Sequence, residues 1–316
     1  MTMAPTSTAV FEAAVALASS PPVSGVATAA AVADFHAATA YLQQLARSTD
    51  CAVTVVALLA EVASPMARFL ALRSLEEHLA AGDEYGAVAA ETRRGVDAAM
   101  VAWAAGNLTL VERDGTHVRN KLALVLALLV KRDYPAVWPT AFGDIFDAVC
   151  GEGGAAPLLS FTGGGGASPA LLLHTDFFLR VCALVQQEVV ERGSSHGGGV
   201  GVADRTACAA VKDAMREGAV PHLVAVWLHI VTAFSAPPPP GTAPAGSPLV
   251  GGAAPALTAF ALAVVSQYTS WIDVRYVVTD EWIGACQTLL LHPHDGVKGG
   301  VLRLFFEVLH KGMGHL

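Results

Sequence analysis

Three short stretches of the 316-residue sequence contain residue types that could bind phosphate or a metal ion. The four glycines Gly163–Gly166 could bring a backbone close to a phosphate, but no Gly-Lys-Ser/Thr follows and no predicted strand precedes them. His292, His294 and Asp295 offer metal ligands, although Pro293 separates the histidines and no further ligand is nearby, which favours the end of a surface helix. We therefore predict no phosphate loop, no metal site and no cofactor.

No residue pattern in the sequence indicates catalysis. Neither a nucleophile elbow nor a His-Glu-x-x-His motif is present, so we predict that the chain is not an enzyme. The cysteines are odd in number and far apart, which predicts buried free thiols and neither disulfides nor a metal knuckle. They are Cys51, Cys150, Cys182, Cys208 and Cys286.

Polar residues at the start of one very apolar helix form the first candidate binding site. In the segment RDGTHVRNKLALVLALLVKRDYPAVWP, the residues Arg119, Asn120 and Lys121 precede a wholly apolar run. They could satisfy backbone groups at the helix start, or they could contact a partner. When Glu112, the residue just before this segment, is included, five basic residues (Arg113, Arg119, Lys121, Lys131, Arg132) and three acidic ones (Glu112, Asp114, Asp133) give residues 112–139 a net charge of +2.

Lys212 and Arg216 form the second candidate site. They are four residues apart in VKDAMREG, so they share one face near the C-terminal end of a predicted helix that Gly218 would stop. There they could neutralise the helix macrodipole and pair with Asp213 and Glu217, or they could contact phosphates. Both interpretations remain open from the sequence.

The helices that position these residues can be read from the apolar periodicity. The segment SPMARFLALRSLEEHLAAG carries one apolar stripe, and Arg68, Glu76 and Glu77 are predicted to lie off it. Ser64 followed by proline predicts the start of this helix, and Gly82 predicts its end. The stripe consists of Met66, Phe69, Leu70, Leu72, Leu75 and Leu79.

The chain as a whole is predicted to be all-α. Comparable helices are expected at 5–19, 33–48, 51–62, 88–105, 117–132, 138–150, 169–192, 204–217, 219–234, 255–270, 280–291 and 298–311, with no strand. The helices come in pairs at intervals close to those of HEAT units, about 40 to 47 residues. This spacing favours an α-solenoid, a single continuous array over residues 1–316. Flexible Gly/Pro-rich insertions are expected near 150–169, 193–201 and 235–255.

Composition narrows the class of protein further. No apolar run reaches the roughly 20 residues of a membrane span without charged or polar interruption. The first Lys or Arg is Arg47, so the N-terminus lacks the basic region of a signal peptide, and we predict a cytosolic or nuclear protein. A net charge of −8 argues against a general nucleic-acid coat, so any nucleic-acid contact should be local.

Six segments of the sequence together carry a resemblance to a known family. The helix pair VRNKLALVLALLVKRDYPAVWPTAFGDIF is similar to the exportin class of karyopherins, which are nuclear transport receptors. The segments ARFLALRSLEEHL, TDFFLRVCALVQQEVVER, VKDAMREGAVPHLVAVWLHIV, VVSQYTSWIDVRYVVTDEWIGACQTLL and LFFEVLHKGMGHL narrow the resemblance to exportin-T over residues 33–313. Exportin-T proteins are roughly three times longer, so the resemblance is to their N-terminal arch.

The resemblance implies a right-handed superhelix whose concave face binds Ran·GTP and tRNA without catalysing any reaction. It further implies a monomer that contacts FG proteins of the nuclear pore, does not insert into membranes, and shuttles between nucleus and cytoplasm. The candidate residues for Ran are Arg73, Glu76, Glu77, Arg119 and Lys121, and those for tRNA are Lys212 and Arg216. Two alternatives remain, namely a karyopherin with protein cargo and a HEAT scaffold with no role in transport.

Overall fold

The computed structural model describes residues 7–22, 28–151, 157–162, 167–191, 202–235 and 248–313. Within these ranges the chain is helical and contains no strand, so the predicted all-α class is confirmed. The chain divides into two compact units, Met1–Pro139 and Thr140–Leu316. That the array is continuous over 1–316, and that it forms a right-handed superhelix, stay predictions.

The helices of the first unit form two layers. They are α1 (Thr8–Ala18), α2 (Ala29–Ala46), α3 (Cys51–Glu61), α4 (Pro65–Ala81), the single turn α5 (Asp83–Gly86), α6 (Ala90–Asp114) and α7 (Thr116–Asp133). α3 packs on α6, while α4 packs on both α2 and α7, and the two layers are joined through the pairs α3–α4 and α6–α7. This arrangement is that of stacked HEAT-like helix pairs.

The predicted start and end of α4 are both confirmed. The Ser64 hydroxyl accepts a hydrogen bond from the Ala67 N–H at 3.1 Å, which caps the N-terminus. Gly82 follows the last turn with φ of 83°, a conformation that favours glycine. The Arg132 guanidinium of α7 lies 2.6 Å from where a Cβ at Gly82 would be, and its Nε donates to the Leu79 carbonyl at 2.9 Å. Because glycine has no side chain, the Arg132 guanidinium of α7 can approach the C-terminal end of α4 and cap its last carbonyl groups.

The prediction that Arg68 lies off the buried face of α4 is wrong. Arg68 is 4% exposed, and its Nε and a terminal nitrogen donate to the two carboxylate oxygens of Asp114 at 2.5 and 2.9 Å. Its other terminal nitrogen donates to the Val62 carbonyl at 2.8 Å. A buried guanidinium is tolerated here because a carboxylate and a carbonyl together satisfy it.

The second unit repeats the two-layer arrangement. Its helices are α8 (Ala141–Cys150), α9 (Pro169–Val185), α10 (Val202–Glu217), α11 (Ala219–Ser235), α12 (Pro248–Thr269), α13 (Asp280–Leu290) and α14 (Asp295–Met313). α8, α11 and α13 make one layer, and α9, α12 and α14 make the other. α10 packs on α11 and on a π-helical turn, Gln186–Glu191, that continues α9. A 3₁₀ turn, Val274–Tyr276, precedes α13.

Aromatic side chains join the layers of the second unit. Tyr268 of α12 is fully buried, its ring lies 4.7 Å from that of Trp227, and its hydroxyl donates to the Cys182 carbonyl at 2.9 Å. All five cysteines are buried and free, as expected. Burial raises the pKa of the Cys51 and Cys182 thiols to about 12, so these thiols stay protonated and unreactive at neutral pH.

Parts of the expected insertions are ordered against the helices. Leu158 is fully buried, and its carbonyl lies 2.9 Å from His229 Nε2 of α11. The Phe161 ring lies 5.0 Å from that of Phe234, so residues 157–162 pack on α11. α12 begins at Pro248, inside the third insertion. Residues 152–156, 163–166, 193–201 and 236–247 of the insertions lie outside the described residues.

One described helix, Pro169–Glu191, is long and apolar enough to cross a membrane by length and composition alone. Of the most apolar 18-residue stretch of this helix, 56% is buried within the second unit, as is typical of a core helix in a helical layer.

Candidate partner-binding surfaces

Four of the five candidate residues for Ran form one surface on α4 and α7. Lys121 of α7 forms an ion pair with Glu76 of α4, and its Nζ lies 5.7 Å from the centre of the Phe69 ring. One turn along α4, the Arg73 Nε donates to Glu77 Oε1 at 2.9 Å, and these two side chains are 57% and 46% exposed. We call Arg73, Glu76, Glu77 and Lys121 the α4–α7 surface.

Arg119, the fifth candidate, points elsewhere. Its side chain is 12% exposed and donates to Glu112 Oε2 of α6 at 2.5 Å. Arg119 and Lys121 are two residues apart on α7, so they lie on different sides of the helix. The structure therefore places Arg119 at the contact between α6 and α7, away from the pair formed by Lys121 and Glu76.

A cleft that the sequence did not reveal borders the α4–α7 surface. It has a volume of about 440 Å³ and lies between the end of α1, α2 and α4. Met66, Phe69 and Leu70 line it, and in the sequence these residues only looked like part of the core stripe. Met66 is in fact 44% exposed. The complete lining is Ala18, Ser19, Phe35, Thr39, Leu42, Gln43, Met66, Phe69, Leu70, Arg73, Ser74 and Glu77.

The two candidate residues for tRNA converge on a tryptophan in the second unit. Lys212 Nζ and the Arg216 guanidinium carbon of α10 lie 5.9 and 5.5 Å from the centre of the Trp271 ring. Arg216 also donates to Asp213 Oδ1 at 2.6 Å and to the Trp271 carbonyl at 3.1 Å. The pairing with Asp213 is the one expected from the sequence.

Lys311 of α14 is a third cation at this site, and the sequence analysis missed it. Its Nζ donates to the Thr269 carbonyl at 3.2 Å and to the Ile272 carbonyl. Arg216 and Lys311 thus bond to carbonyls at and just beyond the C-terminal end of α12, where the macrodipole favours cations. We call Lys212, Arg216, Lys311 and Trp271 the Trp271 cluster.

The cations of the Trp271 cluster affect one another's protonation. Partial burial and the charge of Arg216 lower the pKa of Lys212, although Asp213 opposes this. Partial burial, Arg216 and Lys212 lower the pKa of Lys311 as well, while Asp273 raises it. Like charges held this close repel one another. The cluster thus concentrates three cations beside Trp271, of which Arg216 is paired with Asp213 and Lys311 bonds to backbone carbonyls.

The other sequence candidates gain no support as sites. His292 and His294 follow α13, and the His294 backbone N–H donates to His292 Nδ1 at 3.0 Å. In the part of the chain that the structure describes, no three metal-ligating side chains come together. The glycines 163–166 lie outside the described residues.

The layered helix pairs define a helical-repeat protein. A family model described as "Exportin 1-like protein" matches residues 115–295, which is more than half of the chain. The chain belongs to this exportin 1-like family. The matched region runs from the start of α7 to the start of α14 and so includes Lys121, Lys212 and Arg216.

Individual relatives agree with the resemblance to exportin-T. Exportin-T of Danio rerio is 24% identical over 279 residues, which cover 87% of this chain and 24% of that protein. Human exportin-T is 25% identical over 283 residues, with the same coverage. Exportin-T of Dictyostelium discoideum is 28% identical over 202 residues, 64% of this chain and 14% of that protein. The predicted resemblance is confirmed, and the chain spans about a quarter of the length of the zebrafish and human relatives.

Proposed function

We propose that the chain acts in the nuclear export of tRNA, as part of a receptor that binds Ran·GTP and tRNA and catalyses no reaction. The observation that carries this proposal is the match to proteins named exportin-T in animals and an amoeba, over as much as 87% of the chain. The receptor shuttles between nucleus and cytoplasm as a monomer and contacts FG proteins of the pore. Any GTP hydrolysis belongs to Ran, and the chain needs no cofactor.

Ran·GTP binding is assigned to the α4–α7 surface together with Arg119. These residues lie on α4 and α7, which belong to one layer of the first unit. The exposed pair Arg73–Glu77 and the largely buried pair Lys121–Glu76 together carry both signs of charge, which suits a charged protein partner. Charged groups at an interface govern the rate and specificity of association more than its affinity.

Reversing the charge of Arg73, Arg119 and Lys121 to Glu is expected to weaken Ran·GTP binding at least tenfold. Each reversed side chain would repel the acidic groups of Ran that the wild-type cation would attract, and it would also lose its own ion pair with Glu77, Glu112 or Glu76. The measurement is biolayer interferometry with Ran·GTP and with Ran·GDP as a second arm. A variant with Arg47, Arg113 and Arg303 changed to Glu has the same net charge and serves as the control. Undiminished binding by a folded triple variant would contradict the assignment.

Phosphate binding in tRNA is assigned to the Trp271 cluster. The cations Lys212 and Arg216 are held over an indole ring, and Lys311 stands beside them on the carbonyls at the end of α12. Contacts of this kind fix the position of a nucleic acid by its charge and shape without reading bases. A local cation cluster of this type is compatible with the overall charge of −8.

The double variant Lys212→Ala, Arg216→Ala is expected to weaken all tRNAs alike. Each lost phosphate contact removes about 0.9 from the slope of log affinity against log salt concentration, so the slope should fall by up to about two units. Binding is measured by fluorescence anisotropy between low and moderate salt, and Ran binding should stay unchanged. Lys298→Ala with Arg303→Ala, two cations of α14 outside the cluster, is the control. An unchanged slope would contradict phosphate binding and would leave Lys212 and Arg216 with a structural role at the helix end.

A pull-down with Ran·GTP, Ran·GDP and folded tRNA tests the proposal as a whole. We expect Ran·GTP and tRNA to bind together and each to increase the affinity for the other, because coupling of binding free energies is reciprocal. Preference for Ran·GTP without tRNA would indicate a karyopherin with protein cargo. No preference for either nucleotide form of Ran would indicate a scaffold.

A further inference from the structure

Tyr85 holds the single turn α5 against three helices of the first unit. Its side chain is fully buried, and its hydroxyl donates to Asp133 Oδ2 of α7 at 2.7 Å. The centre of its ring lies 5.8 Å from that of the His78 ring of α4 and 5.6 Å from the guanidinium carbon of Arg93 of α6. One side chain thus joins α5 to α4, α6 and α7.

Two buried carboxyl groups lie beside Tyr85, and they differ in their hydrogen bonds. Asp133 is fully buried and accepts from Tyr85 and, at 2.7 Å, from Arg93. Asp97 of α6 is 1% exposed and lies beside Asp133 and Tyr85, yet neither of its oxygens accepts a hydrogen bond from a described residue. An ionised carboxylate is very unfavourable in such a place, whereas a protonated one can donate to Asp133. While Tyr85 is in place, Asp97 must therefore hold a proton.

The charged side chains near Asp97 leave it without a counter-charge of its own. Arg93 donates to Asp133, and the Arg132 guanidinium donates to backbone carbonyls at the end of α4. Burial lowers the pKa of His78, so this ring adds no positive charge at neutral pH. The titratable and charged side chains around Asp97 are Arg93 of its own helix, Tyr85 of α5, and Asp133 and Arg132 of α7, with His78 of α4 against the Tyr85 ring.

We propose that Asp97, Asp133 and Tyr85 form a proton-controlled latch, in which protonated Asp97 keeps α5 closed on α7 and release of that proton opens it. We call these three residues the α5 latch. α5 is the element that moves, because it has four residues and Tyr85 anchors it, whereas α6 and α7 have 25 and 18 residues and pack on each other. Withdrawal of Tyr85 admits water to both carboxylates. Gly82, with φ of 83°, joins α5 to α4 and gives the backbone freedom to open. The α5 latch operates without Ran or tRNA.

The α5 latch opens as the pH rises. Burial and the charge of Asp133 raise the pKa of Asp97 to about 8 in the closed form, and in the open, hydrated form this pKa returns toward its ordinary 3.8. Between these two values opening releases one proton, so the open population grows up to about tenfold for each pH unit. We therefore expect opening to increase at least tenfold between pH 6 and pH 8.

Hydrogen exchange of the amides of α5 measures this opening. The Gly86 N–H donates to the Gly82 carbonyl at 3.0 Å and the Val88 N–H donates to the Tyr85 carbonyl at 3.1 Å, so both amides report on this turn. In the wild type their protection factors, corrected for the intrinsic effect of pH on exchange, should fall at least tenfold between pH 6 and pH 8. In Asp97→Asn, which has no proton to release, they should change less than twofold.

The control variant Glu91→Gln removes a carboxylate from the exposed first turn of α6 and should behave as the wild type does. A fall in protection that is confined to α5 and is absent only from Asp97→Asn supports the α5 latch. Protection that stays constant with pH in the wild type overturns it, even where a variant does not fold. An equal fall in Asp97→Asn, or loss of the effect in Glu91→Gln, overturns it too. So does an equal fall in the central amides of α4 and α7, because the whole unit would then unfold and not α5 alone.

Discussion

Replacing Asp114 with Ala is expected to destabilise the first unit by about 3 to 5 kcal/mol. The side chains of Asp114 and Arg68 are each only 5% exposed and form two hydrogen bonds with each other. Without the carboxylate, the guanidinium of Arg68 stays buried with the Val62 carbonyl as its remaining acceptor among these contacts. A buried charge that has lost its counter-charge costs far more than the pair contributes when intact.

The control for Asp114→Ala removes both charges at once. In Arg68→Met with Asp114→Leu no buried charge is left without its counter-charge, so the double variant should be much more stable than the single one. Urea denaturation followed by circular dichroism gives the free energy of unfolding, and amide hydrogen exchange on α4 and α6 locates the loss. If the single variant lost less than about 1 kcal/mol, Arg68 would have to reach water when Asp114 is removed.

Local features of the sequence predicted the helices and their ends well. Ser64 and Gly82 bound α4 as expected, and Gly218 follows α10 as expected, because capping chemistry depends on residues only a few positions apart. The helices also follow one another in pairs along the chain, and this spacing indicated the HEAT-like layers. α6 and α12 are the exceptions in length: α6 extends to Asp114, where the sequence prediction ended at 105, and α12 begins at Pro248, where the prediction began at 255.

Contacts between distant residues could not be read from periodicity. Arg68 is separated from Asp114 by 46 positions, so the charge pattern of α4 alone made it look exposed. Lys311 reaches Thr269 across 42 positions, and only the packing of α14 on α12 brings it beside Lys212 and Arg216. The cleft could not be read from the sequence either, because three helices form it. Its apolar lining residues from α4 fit the apolar stripe of that helix, and the stripe does not show where the neighbouring helices leave a gap.

A buried cluster of ionisable groups lies between α6, α7 and the turn α5. Asp133 is fully buried, with Tyr85 donating its hydroxyl to Oδ2 and Arg93 donating to Oδ1, each at 2.7 Å. Arg132 also contributes a positive charge near Asp133. Asp97 of α6 lies beside Asp133, is 1% exposed, and receives no hydrogen bond at either carboxylate oxygen. Two adjacent carboxyl groups can bond only if one is protonated. Because both oxygens of Asp133 already accept hydrogen bonds from Tyr85 and Arg93, we place the proton on Asp97.

Burial and the neighbouring Asp133 raise the pKa of Asp97 to about 8 from an ordinary 3.8, in spite of Arg93. Burial also raises the pKa of Asp133, against the opposing effects of Tyr85 and Arg93. Because the folded-state pKa of Asp97 is the higher one, its contribution to stability is fully present below pH 3.8 and is lost as the pH rises toward 8. At neutral pH the folded protein must therefore hold a proton that the unfolded chain has released.

Replacing Asp97 with Asn is accordingly expected to stabilise the protein at neutral pH. The amide has the shape of the protonated acid and can donate to Asp133, but it needs no proton from solvent. The gain in free energy of unfolding should be close to zero near pH 4 and should grow to a few kcal/mol, on the order of 3, at pH 7. Urea denaturation of both proteins between pH 4 and 8 measures this difference.

Asp97→Ala, which cannot donate to Asp133, should show no comparable gain at neutral pH. If the Asn variant were no more stable than the wild type at any pH, Asp97 would not be the proton carrier of the pair.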